Sequence, residues 1–319
     1  MKRLSAEQIN RLAADPRHTS AMQGPFVIDR SLPFVPEHHT QLYYTPAYAT
    51  LSDAQRLRYN QLFALRINEY IMLLESDLID ALLPSLLRDA RVRGDAALSA
   101  AVRTMIDEER RHHAGFAAFN RACRPDLYPP GHDRCFARMP AAQRWAFGAL
   151  ALLSSRWRFG LWYLMAMEES SKSLAREMLT RPHTETLGTL DPAYVALHRQ
   201  HLKDETRHLH IDALLIERCL QGHWPRVNTW LFARLMAGAL HVSPHGSGAR
   251  VVRQLVRDCP ELAPREPALI QSLLELRRHR AFRHGLFNRR IMPESFALFD
   301  QTPPLAAWLA RTMPHDAQA

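Results

Sequence analysis

The sequence predicts an all-α protein, a four-helix bundle core followed by extra C-terminal helices. Three observations lead there. Only 12 glycines occur in 319 residues, and the long stretches between prolines are written in Ala, Leu, Arg and Glu, which favour helix over sheet. Apolar residues recur at spacings of three and four, the period of one helix face, with no convincing strand alternation and no solenoid repeat. Two segments place a glutamate and a histidine three residues apart, on one face of a helix.

Residues 1–50 read as an N-terminal extension: they carry Pro16, Pro25, Pro33, Pro36 and Pro46 and hold no sustained period. A single domain is expected over 51–300. Its first helix opens at Ser52, a plausible N-cap, and covers 53–90 with Phe63, Ile67, Ile71, Leu74, Leu78 and Leu82 on one face; Pro84 should kink it. The second covers 95–121 and stops before the loop marked by Pro125, Pro129, Pro130 and Gly131. The third covers 141–180. Within it Ala146–Met167 is strongly apolar, but Arg156 and Arg158 interrupt the run, so it reads as a buried bundle helix and not a membrane span. Pro182 and Pro192 bracket a connector to the fourth helix, 193–221, which Gly222 and Pro225 end. Further helices are expected near 226–241, 249–258 and 266–284, and residues 301–319 form a loosely attached tail with a short helix at Leu305–Arg311.

The formal net charge is +9, almost all of it arginine, since lysine occurs only at positions 2, 172 and 203. No nucleic-acid motif accompanies the charge, so nucleic acid is not an expected partner. The densest basic run, Arg277 to His284 and on to Arg289 and Arg290, is a solvated helix face or a docking patch for an acidic partner. Cys123, Cys135, Cys219 and Cys259 form no C-x-x-C pair, which excludes a zinc ribbon; with no signal peptide in view, a reduced cytoplasmic setting is expected.

The chemistry is concentrated in two places. Glu109 and His112 form one Glu-x-x-His pair, and Glu205 and His208 form the second, each preceded directly by an acid, Glu108 and Asp204. His201 lies four residues before Glu205 on the same stripe. Two such pairs on separate helices, completed by an inward glutamate from each of two other helices, are how a bundle holds two iron or manganese ions. On the first helix Glu75 is the better completing residue, because Ile71, Met72, Leu78 and Ile79 surround it; Glu69 is the second choice, as an outer partner or a substrate contact. On the third helix the doublet Glu168-Glu169 forces a choice, and Glu168 has the less charged stripe. Carboxylates tolerate the charge change between ferrous and ferric ions and imidazole suits iron, while manganese fits the same donors. Glu108 and Asp204 are placed to accept the outer ring N–H of a ligand histidine. His113 and His210 fall on another face and are read as non-ligands.

At these residues the chain resembles the diiron amine N-oxygenases, the family of p-aminobenzoate N-oxygenases. The resemblance spans residues 55–220. It rests on Asn68-Glu69 followed by Glu75, on Ile106 with Glu109-x-x-His112, on Glu168 after an apolar run, and above all on His201-Leu-Lys-Asp-Glu-Thr-Arg-His208. It implies a ferritin-like fold and Glu75, Glu109, His112, Glu168, His201, Glu205 and His208 as ligands of two iron ions. It further implies O2 as co-substrate, a small-molecule amine as substrate and a homodimer; with no flavin or nicotinamide motif in the sequence, an external electron donor is expected. Where the type member has an arginine after Asn-Glu, this chain has Tyr70; the change removes a carboxylate clamp and favours an arylamine without one, or an amino acid tethered to an acidic carrier protein. The products expected are a hydroxylamine, nitroso or nitro compound of secondary metabolism. The same site could also serve C–H hydroxylation or desaturation, or non-catalytic iron handling.

Overall fold

The computed structural model describes residues 3–22, 24–138, 145, 148–149, 159–219, 224–239, 241–279, 281–282, 285 and 287–312. The fold is all-α, and among the described residues no strand occurs beyond a single bridge between His183 and Thr189. Among the described residues the longer helices are α1 (Ala6–Ala13), α2 (Asp53–Leu73), α3 (Asp80–Leu86), α4 (Ala96–Cys123), α5 (Phe159–Thr180), α6 (Pro192–Cys219), α7 (Pro225–Ala239), α8 (Ser247–Asp258), α9 (Glu266–Glu275), α10 (Pro293–Phe299) and α11 (Pro303–Thr312), with two four-residue helices at Pro46–Ala49 and Ala90–Arg93.

The bundle is a ferritin-like set of four rods: α2 with α3, then α4, α5 and α6. Ser52 caps α2 through a capping box with Gln55, and Asp95 caps α4 by accepting from Leu98 N at 2.9 Å. The first rod departs from a plain helix before Pro84. Between α2 and α3 the residues Leu74–Ile79 form a π-helical turn, a widening that recurs at functional sites. Around it the Met72 carbonyl accepts from the Ser76 hydroxyl at 2.9 Å and from Arg134 at 3.3 Å. Residues 141–144, 146–147 and 150–158 of the expected third helix lie outside the described residues.

The core is two apolar layers. One holds Ile79, Leu82, Met105, Leu161, Leu164 and Leu209; the other holds Phe63, Met72, Phe116, Met178, Tyr194 and Leu197. On each rod the change of layer falls at its ionisable residues: between Met72 and Ile79, Ile106 and Phe116, Ala166 and Leu174, Leu197 and Leu209. The candidate ligands therefore form a polar slab across the middle of the bundle.

The first fifty residues hold more regular structure than their prolines suggested. Ser5 and Gln8 form a capping box on α1, whose Ile9 is buried, and Asn10 donates to the Ala97 carbonyl at 2.9 Å. Further on, Phe34 N and Val35 N both donate to the Asn60 side chain, and Phe34 stacks on Tyr194 with centroids 5.3 Å apart. The tail is docked as far as Thr312: Leu305 and Leu309 of α11 are buried and Trp308 packs edge-on to Phe232 of α7. The helix expected over 266–284 ends at Glu275 and passes through a short 3-10 turn to Arg278, while Arg280, Arg283 and His284 of the basic run lie outside the described residues.

Glu69 requires a correction. It is fully buried, but both of its oxygens are taken up by the loop after α4: Tyr128 OH donates to it at 2.6 Å, Cys135 N at 2.8 Å, Phe136 N at 2.7 Å and Ala137 N at 2.5 Å. It anchors that loop and makes no hydrogen bond to the candidate ligands. Burial pushes its carboxyl above the ordinary value, against the pull of these four donors. Replacement by alanine strands three backbone N–H groups at about 1–3 kcal/mol each. Glu69→Ala is therefore expected to cost about 3 kcal/mol or more in urea unfolding, and a change below about 1 kcal/mol would contradict the anchoring role.

Candidate metal centre

Four rods deliver seven side chains to the slab. The wide turn presents Glu75, α4 presents Glu109 and His112, α5 presents Glu168, and α6 presents His201, Glu205 and His208; none is more than 3% exposed. The ligand atoms of Glu109, His112, Glu205 and His208 lie within 4.8 Å of one another, and so do those of Glu75, His112 and His201. Glu205 Oε1 is 2.9 Å from His201 Nε2 and 3.5 Å from His208 Nδ1, and Glu75 Oε1 is 3.6 Å from His201 Nε2. His208 Nδ1 also lies 2.8 Å from Glu109 and 3.5 Å from Glu168. The structure thus brings together all seven residues that the sequence singled out. Of the doublet on α5, Glu168 turns inward, while Glu169 accepts from Glu294 N and Ser295 N at the start of α10.

The outer side of each imidazole is held across the bundle. His112 Nε2 pairs with Asp204 Oδ2 at 2.9 Å, and His208 Nε2 pairs with Glu108 Oε2 at 3.0 Å. Each acid directly before a Glu-x-x-His pair thus serves the histidine of the other helix. With Nε2–H donating outward, each Nδ1 keeps its lone pair toward the cluster, the arrangement that fixes a metal-binding imidazole. His201 faces the cluster through Nε2, and its Nδ1 lies 3.3 Å from Ser171 Oγ.

Arg207, a residue the sequence reading passed over, locks this exchange. Its Nη2 donates to both Glu108 Oε1 and Asp204 Oδ1 at 2.5 Å, and its Nη1 donates to the His18 carbonyl. Its position three residues after Asp204 was the available signal, since that spacing stacks the two side chains on one face. Asn68 and His198 form a further buried set: Asn68 Oδ1 accepts from Tyr194 OH at 3.0 Å and faces His198 Nε2 at 3.2 Å. His113 and His210 make contacts elsewhere, to Asp133 and to Leu4 N. Tyr70 is 40% exposed; its hydroxyl bonds Ser247 Oγ at 2.9 Å and Arg66 stacks on its ring, so its contacts run to α8 and not into the cluster.

The ionisation pattern is that of a site built around positive charge. Burial pulls His201 down, but Glu205 and Glu75 outweigh it and lift the imidazole to about 10. His208 is likewise raised, against burial, by Glu109 and Glu108. Burial, then the charges of Glu205 and Glu109, push Glu168 well above the carboxylate range, while Glu205 is held well below it, against burial, first of all by His201.

A pair of divalent cations fits these residues. Both oxygens of Glu75, Glu109 Oε1, Glu168 Oε2 and His208 Nδ1 are sealed from solvent and, although they crowd together, none has a partner aligned for a hydrogen bond. Such atoms are costly unless something positive faces them. Four carboxylates balance two dications, and the mixed carboxylate and imidazole set suits iron or manganese.

The family model described as P-aminobenzoate N-oxygenase AurF matches residues 8–243. The chain belongs to this family. The match takes in most of the N-terminal arm as well as the bundle, and ends before α8. Membership makes the protein an oxygenase, and AurF is a diiron enzyme. No curated protein matches the chain. Among the described residues, no helix is long and apolar enough to cross a membrane.

Two outcomes are expected of the metal-free protein. Its raised imidazoles hold protons that an entering ion must displace, so protons oppose binding below the His201 value of about 10. Apparent affinity for ferrous or manganous ion should therefore rise with pH, by roughly tenfold per unit for each proton displaced, with proton release visible in a weakly buffered dye assay. Asp204→Asn, which removes the charge holding His112, should weaken metal binding by about 10–100-fold in equilibrium dialysis.

Proposed function

We propose that the protein is an O2-dependent diiron N-oxygenase that converts a primary amine of a small metabolite to a hydroxylamine, and onward to nitroso or nitro. The observation that carries this reading is the convergence of Glu75, Glu109, His112, Glu168, His201, Glu205 and His208 in a chain of the AurF family. Iron held by these residues would supply the reduction of O2 and the oxidising power for N–O bond formation. In the first step an amine, O2, two electrons and two protons give a hydroxylamine and water.

The chain's own part is positioning and insulation. The four carboxylates balance the charge of the ions, and Glu108 and Asp204 keep the ring protons of His208 and His112 on the outer side. The apolar layers above and below the slab exclude water, which protects a strong oxidant from futile reduction. His201 brings a third imidazole, one more neutral donor than the two Glu-x-x-His pairs contribute. The substrate is an arylamine or an aminoacyl group on an acidic carrier protein; Tyr70, whose contacts run to α8, supplies no clamp for a free carboxylate. With no dinucleotide-binding motif in the sequence, we assign the electrons to an external donor, and we propose a homodimer as the working form.

The test is protein reconstituted with ferrous iron, reductant and O2, offered arylamines and carrier-tethered aminoacyl thioesters and read by product mass. Oxygen on nitrogen is the expected result; oxygen found only on carbon, or none in any amine, overturns the reading. His201→Ala should keep the fold by circular dichroism and alter the stopped-flow absorption changes that follow mixing with O2. Unaltered traces would remove His201 from the ligand set.

A further inference from the structure

A second group of donors meets where the N-terminal arm crosses the C-terminal end of α5. We propose that His38, His39 and Glu177 form a separate site for one divalent transition-metal ion, with Glu185 orienting His38. Glu177 reaches both rings: its Oε1 is 3.0 Å from His38 Nε2 and its Oε2 is 3.0 Å from His39 Nε2. The two imidazoles lie side by side with centroids 4.4 Å apart, and the three ligand atoms fall within 4.8 Å of one another. A tetrahedral ion with bonds near 2.0–2.2 Å sets ligand edges at roughly 3.3 Å, so the trio needs only a small adjustment to close on one.

The outer partner of His38 is the stronger clue. Glu185 Oε1 sits 2.6 Å from His38 Nδ1, and its other oxygen is fixed by Glu37 N at 2.9 Å. A proton held on Nδ1 leaves the Nε2 lone pair aimed at Glu177 and His39. This is the carboxylate–imidazole pairing already seen behind His112 and His208, here in a cluster that shares no residue with the central one. The side chains of His38, His39 and Glu177 are 34%, 23% and 30% exposed, so an ion can enter from solvent and keep water on its remaining positions. Glu177 follows Glu168 by nine residues on α5, about 13.5 Å along the axis, which makes this a mononuclear site distinct from the slab. Two imidazoles and one carboxylate suit zinc, ferrous iron or cobalt better than calcium or magnesium. An ion there would tie the arm, the end of α5 and the connector at Glu185 together.

The experiment is titration of the whole, metal-stripped chain with Zn2+ and Co2+, counting bound ions by equilibrium dialysis and following the visible bands of Co2+. Wild type is expected to bind one ion more than His38→Ala/His39→Ala, with loss of one set of cobalt bands. Should that double variant fail to fold, Glu177→Gln, which keeps the hydrogen-bonding shape without the charge, decides by the same count. An unchanged stoichiometry and affinity in Glu177→Gln overturns the proposal. A wild type that binds one ion and a Glu177→Gln that binds none would support this site and sink the reading of the central one.

Discussion

The whole arrangement depends on burying four carboxylates and three imidazoles in the middle of an apolar bundle. In a medium of low polarity, charges of one sign cannot be stacked without an equal supply of the other. The chain answers at two distances. Near the centre, imidazoles alternate with carboxylates; further out, Arg207 joins Glu108 to Asp204, and those acids hold His208 and His112. The apolar layers on either side are what make these pairings strong, because water is not there to screen them.

Much of this was legible from spacing alone. The Glu-x-x-His pairs and the His201–Glu205–His208 stripe follow from helix geometry, and the surrounding residues separated Glu75 from Glu69 and Glu168 from Glu169. What spacing could not show was where the rejected member of each choice would go. Glu69 and Glu169 are as buried as their neighbours, yet each ends on backbone N–H groups of a distant segment, the loop at 135–137 and the start of α10. Those partners are 66 to 68 and 125 to 126 residues away, beyond any local pattern.

Arg207 shows the same limit from the other side. In a chain with 41 lysines and arginines its spacing to Asp204 is one such pairing among many, and its role appears only when two helices set acids on either side of it. The N-terminal arm was hidden for a different reason. Its prolines break every period, yet Asn60, Asp191 and Glu185 fasten its backbone by side-chain hydrogen bonds that need no regular structure.

The crossed pairing of His112 with Asp204 and His208 with Glu108 fixes how α4 and α6 can lie together. A slip of one turn, about 5.4 Å, would part both couples at once and strand four ionisable groups in the dry interior. The polar lattice works as a vernier for the antiparallel docking of these rods, and it imposes a registry that two interchangeable leucine faces could not enforce.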